Sequence, residues 1–123
     1  MMAEADKYVG MPYVFGGSSP STSFDCSGYV SWVINHSGWN VGRLTAQGLC
    51  NICTPVSKSS AKPGDLIFFS GTYDSGTAVS HVGIVVDPAN HIMVDAGDPI
   101  KYESYNTSYW NSHFYRIGRL PAP

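Results

Sequence analysis

Two apolar runs, His81-Val82-Gly83-Ile84-Val85-Val86 and His91-Ile92-Met93-Val94-Asp95-Ala96, stand on either side of Asp87-Pro88-Ala89-Asn90. Turn-forming residues between two strand-like runs predict an antiparallel hairpin, and a hairpin commits the middle of this chain to a sheet. Side chains alternate along a strand, so Val82, Ile84 and Val86 share one side, which faces the core, while His81, Gly83 and Val85 share the other. On the second strand His91, Met93 and Asp95 oppose Ile92, Val94 and Ala96. A three-residue loop, Asp87 to Ala89, pairs Val86 with Asn90, Val85 with His91 and His81 with Asp95. That register sets His81 and Asp95 directly opposite, with Cβ atoms roughly 4.5 to 5.5 Å apart. His91 then lies about 13 Å along the strand from them. A slip of one residue would separate the two faces.

The surroundings of the hairpin divide in two. Ala3 to Val9 reads as a short helix, and Met11 to Phe24 as a turn-rich loop holding Pro12, Gly16, Gly17 and Pro20. From Cys26 onward Tyr29, Val30, Val33 and Ile34 recur at helical spacing, with Asp25 placed as N-cap and Gly38 placed to end the helix. Thr45 to Ile52 is a second helical piece. Pro63-Gly64 then opens a strand over Asp65 to Phe69, and further strands are expected at Ile100 to Ser104 and His113 to Leu120, with a helical turn around Ser108 to Asn111. The N-terminal part is therefore helical and the rest stranded.

With 123 residues, 43% of them apolar, the chain suits one domain with a compact core. A net charge of -2 with 7 Lys+Arg and no basic run lacks the footprint that binding to a phosphate backbone requires, so no nucleic-acid partner is expected. No apolar run approaches the ~20 residues of a membrane span. The N-terminal "MMAEADKYVG" has neither a basic start nor an apolar signal core. The doubled Met1-Met2 before a helix-like start points to a domain taken from a longer protein, with any export signal upstream.

Three cysteines, Cys26, Cys50 and Cys53, leave at least one thiol unpaired. Cys50-Asn51-Ile52-Cys53 has the spacing of a redox dithiol, but a helical piece precedes it where a strand–turn–helix context is needed. A structural zinc site needs four ligands, and no second Cys/His pair stands at finger spacing. Cys26 falls in the first turn of a helix, where unpaired N–H groups and the positive dipole end favour thiolate over thiol. Its alternatives are an inert packed thiol and a nucleophile, and a nucleophile needs a base. Of His36, His81, His91 and His113, the hairpin selects His81, because Asp95 stands across from it to orient the ring. The arrangement is then nucleophile, base and orienter: His81 takes the thiol proton and later gives a proton to a leaving amine, and Asp95 fixes the tautomer. Backbone N–H groups of the Cys26 helix would face the oxygen of a tetrahedral intermediate. A thiolate supplies the nucleophile itself, so neither a metal nor another cofactor is expected.

Five segments in order, "YVGMPYVFGG" (8–17), "FDCSGYV" (24–30), "RLTAQG" (43–48), "KPGDLIFF" (62–69) and "SHVGIVV" (80–86), resemble the NlpC-type cell-wall cysteine endopeptidases over nearly the whole chain. The resemblance implies a papain-like α+β fold, with N-terminal helices packed on a central antiparallel β-sheet. It makes residues 1–123 a single peptidase domain, the catalytic part of a longer cell-wall hydrolase located outside the cell or in the wall. It implies Cys26 as nucleophile and His81 as base. The third position, commonly histidine in the family, is Asp95 here, with His91 as the fallback. The implied substrate is the peptidoglycan stem peptide, cut at the γ-D-glutamyl bond to meso-diaminopimelate or L-Lys by a monomeric enzyme. Family members that recognise a free L-Ala amine use positions matching Asp25, Ser27 and Tyr13; the same residues also read as a helix cap, a first-turn residue and a core aromatic. An amidase or acyltransferase using the same thiolate, and a catalytically silent wall-binding module, are the alternatives.

Overall fold

The computed structural model describes residues 1–123. Its elements are α1 (Met2–Asp6), β1 (Ser18–Ser19), β2 (Ser23–Phe24), α2 (Cys26–Asn35), α3 (Ala46–Ile52), β3 (Thr54–Val56), β4 (Leu66–Phe69), β5 (His81–Asp87), β6 (Ile92–Ala96), β7 (Ile100–Ser104), α4 (Ser108–His113) and β8 (Phe114–Arg119). Six strands form one sheet in the order β3-β8-β4-β5-β6-β7, with every neighbouring pair antiparallel. This is the expected α+β architecture, helices packed on a central antiparallel sheet.

Helix α2 forms where its capping residue and apolar spacing place it. The Asp25 side chain accepts from the Gly28 N–H at 2.7 Å, and Tyr29, Val30, Val33 and Ile34 are fully buried. Each such side chain contributes about 1.5–3 kcal/mol on leaving water. A Cβ on Gly28 would overlap the carbonyl oxygen of Gly17, so only glycine lets the preceding loop lie this close to the helix. That loop also accepts the Asp25 N–H at Gly17 O, 3.0 Å. The helix start is thus tied to the loop on both sides of Cys26.

Both sides of the sheet are packed. Leu66, Phe68, Val82, Ile84, Val94, Ala96 and Ile100 meet α2 in the larger core. The other side, carrying His81, Gly83, Val85, Met93 and Asp95, buries Ile67, Phe69, Val85, Met93, Tyr105 and Ile117, with Trp110 of α4 against them. The edges are short or covered: β3 contains Pro55, and β7 has Ile100 bonded on its outer side to Gly10 N–H (2.8 Å) and to Met11 O (2.9 Å).

The register of the hairpin differs from the one expected. Asp95 stands opposite Gly83, not His81, because the connection is Pro88–His91, four residues long, and a bulge interrupts the ladder between Val85 and Asp87. His91 takes φ 58 in this turn. The slip is two residues, an even number, so His81 and Asp95 remain on the same side of the sheet.

Candidate active site

His81 opens β5 and Cys26 opens α2, and the two meet where the strand enters the sheet. The Cys26 thiol lies 3.9 Å from the carbonyl oxygen of Ser80. Ser80 is itself fixed: its N–H donates to Phe69 O (2.9 Å), and its Oγ is paired with Thr72 Oγ1 (2.6 Å). Gln47 of α3 accepts the Val79 N–H at 3.0 Å, so α3 holds the approach to His81 in place.

Asp95 reaches His81 diagonally across Gly83. Its Oδ2 is 2.8 Å from His81 Nε2. Asp95 is fully buried and the His81 side chain is 11% exposed. A side chain at Gly83 would press on the Met93 sulfur and Asp95 Cβ, so glycine keeps this diagonal open. The imidazole is sandwiched further by Trp110, stacked at 5.2 Å between centroids, and by Phe69 at 5.9 Å. Burial works against a charge on His81, but hydrogen bonding and charge attraction from Asp95 and Cys26 outweigh it and raise the pKa to about 10. With Nε2 committed to Asp95, Nδ1 is the ring nitrogen left for the sulfur.

His91 is not part of this cluster. It sits in the turn at the far end of the hairpin, edge-on to Tyr105 at 5.5 Å, in a separate depression of about 280 Å³ shared with Lys58 and Asn111. The other two cysteines are also remote in chemistry. Burial raises the Cys50 pKa and pushes that of Cys53 up to about 12, and both thiols are free.

Asp25 is more heavily used than a helix cap requires. Its Oδ1 accepts from Gly28 N–H, from Ser27 Oγ (3.3 Å) and from Arg43 Nη2 (2.9 Å), and its Oδ2 accepts from Gly16 N–H (3.0 Å) and Arg43 Nη2 (3.0 Å). Arg43 Nη1 also donates to Ser27 Oγ at 2.8 Å. Asp25, Ser27 and Arg43 form one wall of a cleft of about 200 Å³ whose rim carries Phe15, Tyr73 and Thr77. Tyr13 stands half-buried beside the sulfur; burial and the nearby Cys26 push its hydroxyl up to about 12, so it remains a hydrogen-bond donor at neutral pH.

These bonds predict that Asp25→Ala costs about 2 kcal/mol of stability, the sum of a lost cap and a half-exposed ion pair. Asp25→Asn, which keeps an oxygen for Gly28, should cost less than half of that. Denaturant midpoints of the two variants check it, and an unchanged midpoint for Asp25→Ala would show that the carboxylate contributes nothing to the fold.

A sequence profile of the NlpC/P60 family matches residues 10–119. The chain belongs to the NlpC/P60 family. It is 43% identical over 121 residues to the bifunctional muramidase/DL-endopeptidase CwlT of Bacillus subtilis, covering 98% of this chain and 36% of that protein. The gamma-DL-glutamyl hydrolase of the same organism is 35% identical over 120 residues, covering 98% of this chain and 29% of that one. Among solved structures, a lipoprotein-like NLP/P60 family protein from Staphylococcus aureus superposes with a TM-score of 0.93 at 43% identity, over 99% of this chain and 40% of that chain. This NlpC/P60 chain thus spans about a third of the length of the curated relatives it matches.

The structure brings the expected residues Cys26, His81 and Asp95 together at the start of β5. Sequence reasoning missed Arg43, Gln47, Tyr73 and Trp110. The segment "RLTAQG" held two of them: Arg43 grips Asp25, Thr45 caps α3 at Gly48 N–H (3.0 Å), and Gln47 anchors Val79. Trp110 carried no signal beyond a helical turn.

Proposed function

We propose that this domain is a peptidoglycan hydrolase, a cysteine endopeptidase that cuts the γ-D-glutamyl bond to the diamino acid of cell-wall stem peptides. The observation that carries the chemistry is the 2.8 Å contact between Asp95 and His81 beside a thiol in the first turn of α2. The substrate class is supported by relatives whose names are DL-endopeptidase and gamma-DL-glutamyl hydrolase.

In this reading His81 takes the proton of the Cys26 thiol, and the sulfur attacks the γ-carbonyl carbon of D-Glu. The N–H groups of Cys26 and Ser27, which a first helical turn leaves without helical acceptors, receive the developing oxyanion. His81 then protonates the leaving amine of the diamino acid as the C–N bond breaks, leaving a thioester. Water attacks the thioester with His81 again accepting a proton, and the thiol and a free γ-carboxylate are released. Ser27 lines the cleft and Tyr13 stands near Cys26, both as substrate contacts. Asp25, whose two oxygens already take donors from Gly16, Ser27, Gly28 and Arg43, meets a substrate ammonium only while shared with Arg43. We place the domain as the catalytic part of a longer exported hydrolase acting in the wall, as a monomer.

Mass spectrometry of muropeptides after digestion tests the reading. The expected products are a fragment ending in D-Glu with a free γ-carboxylate and one beginning at the diamino acid. Release of the whole stem from its sugar would make the enzyme an amidase, and transfer to an added amine in preference to water would make it an acyltransferase.

A further inference from the structure

Asp95 has a second oxygen, Oδ1, that is buried and has no hydrogen-bond partner. An uncompensated buried lone pair on a charged group is costly, so a donor at this place matters. The neighbouring carboxyl is that of Glu103. Met93 pairs with Glu103 and Asp95 with Lys101 across β6 and β7, so Glu103 projects from the same side of the sheet as Asp95, one step along the diagonal. Glu103 is itself held from outside: Trp110 Nε1–H donates to its Oε1 at 3.1 Å, and the same indole stacks on His81.

We propose that Glu103 is a positioning residue of this site, a neutral carboxylic acid whose Oε2–H donates to Asp95 Oδ1 while Trp110 holds Oε1, leaving Asp95 Oδ2 free to hold His81. The inference rests on the reading of Cys26, His81 and Asp95 given above. Two carboxyl groups this close cannot both ionise, and Asp95 is the one with a cationic partner. The titration of Glu103 agrees: burial first, then hydrogen bonding and charge repulsion from Asp95, raise its pKa to about 7 against the smaller opposing influences of Trp110 and Lys101. The charged groups around it are Asp95 on β6, His81 on β5 beyond it, and the exposed Lys101 on its own strand; α4 contributes only the uncharged Trp110. Loss of the Glu103 proton removes the only donor to Oδ1 and sets a second negative charge beside Asp95, so the orienter is pushed off its position as pH rises through about 7.

Two measurements test this. Carbon-13 NMR of the Glu103 carboxyl in the whole domain should show a titration near pH 7 in the wild type and a fall toward the ordinary glutamate range in Asp95→Asn. The second is the pH profile of kcat on a stem peptide. Glu103→Ala should lower kcat at least 10-fold with little change in KM, whereas Glu103→Gln, whose amide N–H can donate to Oδ1 without titrating, should recover most of the loss and shift the alkaline limb of kcat upward. A Glu103 that titrates in the ordinary glutamate range, a glutamine variant no better than the alanine variant, or a limb unmoved by glutamine would overturn the proposal. Full turnover in Asp95→Ala would instead overturn the site on which it rests, whatever the titration of Glu103.

Discussion

Cys26→Ala is expected to yield a folded protein with no turnover, a loss of about 10⁴-fold or more, the scale on which removing a nucleophile acts when its partners function as a unit. The substitution is gentle to the fold: Cys26 is 4% exposed at the start of α2, and alanine leaves the Asp25 cap and the Gly28–Gly17 contact in place. Alkylation at neutral pH should modify Cys26 with one-to-one stoichiometry and abolish turnover in parallel. Cys50 and Cys53 should react far more slowly, because burial holds both thiols protonated. Serine at either of those positions should leave turnover per folded molecule nearly unchanged. Turnover surviving in Cys26→Ala, or lost as severely in Cys50→Ser or Cys53→Ser, would remove the nucleophile from the mechanism. Chelator should have no effect, and activity lost in chelator and restored by zinc would replace the thiolate by a metal-bound hydroxide.

The second large effect is at Asp95. Asp95→Ala should lower kcat by about 10²- to 10⁴-fold, since the imidazole loses both its orienting acceptor and its counter-charge. Asp95→Asn should fall nearly as far. An amide oxygen can still accept from Nε2–H, but a buried imidazolium beside a neutral amide has lost the attraction that offsets its desolvation. The pH dependence gives the sign. With its pKa raised from 6.5 to about 10, the His81 charge contributes stability in full below 6.5 and loses it as pH rises toward 10. In Asp95→Asn the titration of the His81 imidazole, followed by NMR, should therefore move to lower pH. His91→Ala, remote in the turn, should be mild. A silent Asp95→Ala with a crippled His91→Ala would transfer the third role to His91 despite its position beside Tyr105.

Which residues meet was more legible than how they meet. The period-2 pattern of 81–86 and 91–96 identifies the side of the sheet shared by His81 and Asp95. It does not count the residues of the turn, because nothing in Asp87-Pro88-Ala89-Asn90 announces that His91 takes a left-handed conformation and that the ladder bulges after Val85. The pairing survived this error only because Gly83, the residue actually opposite Asp95, has no side chain to block the diagonal. The strand at Thr54–Val56 was missed because it is three residues long and contains a proline, both features of an edge. The cap at Asp25 was readable from its neighbours in sequence, but its ion pair with Arg43 was not, since the two residues are brought together by the return of the chain after α2. Glu103 and Trp110 were unreadable for the same reason: their meaning comes from Asp95 and His81 on other strands. Local signals identified helices, strands and the thiol at the start of α2, whereas the groups that hold its neighbours in place come from tertiary packing.

The two borders of the sheet have a consequence for how such a domain behaves when crowded. A strand from a neighbouring molecule adds to a sheet by bonding to a row of unpaired N–H and C=O groups. On one border it meets three residues, of which Pro55 has no N–H to offer. On the other, Gly10 and Met11 already occupy both backbone groups of Ile100, and the exposed Lys101 follows next along the strand. The first border is three residues long and the second is closed at Ile100, so neither offers its full length to an added strand from another copy.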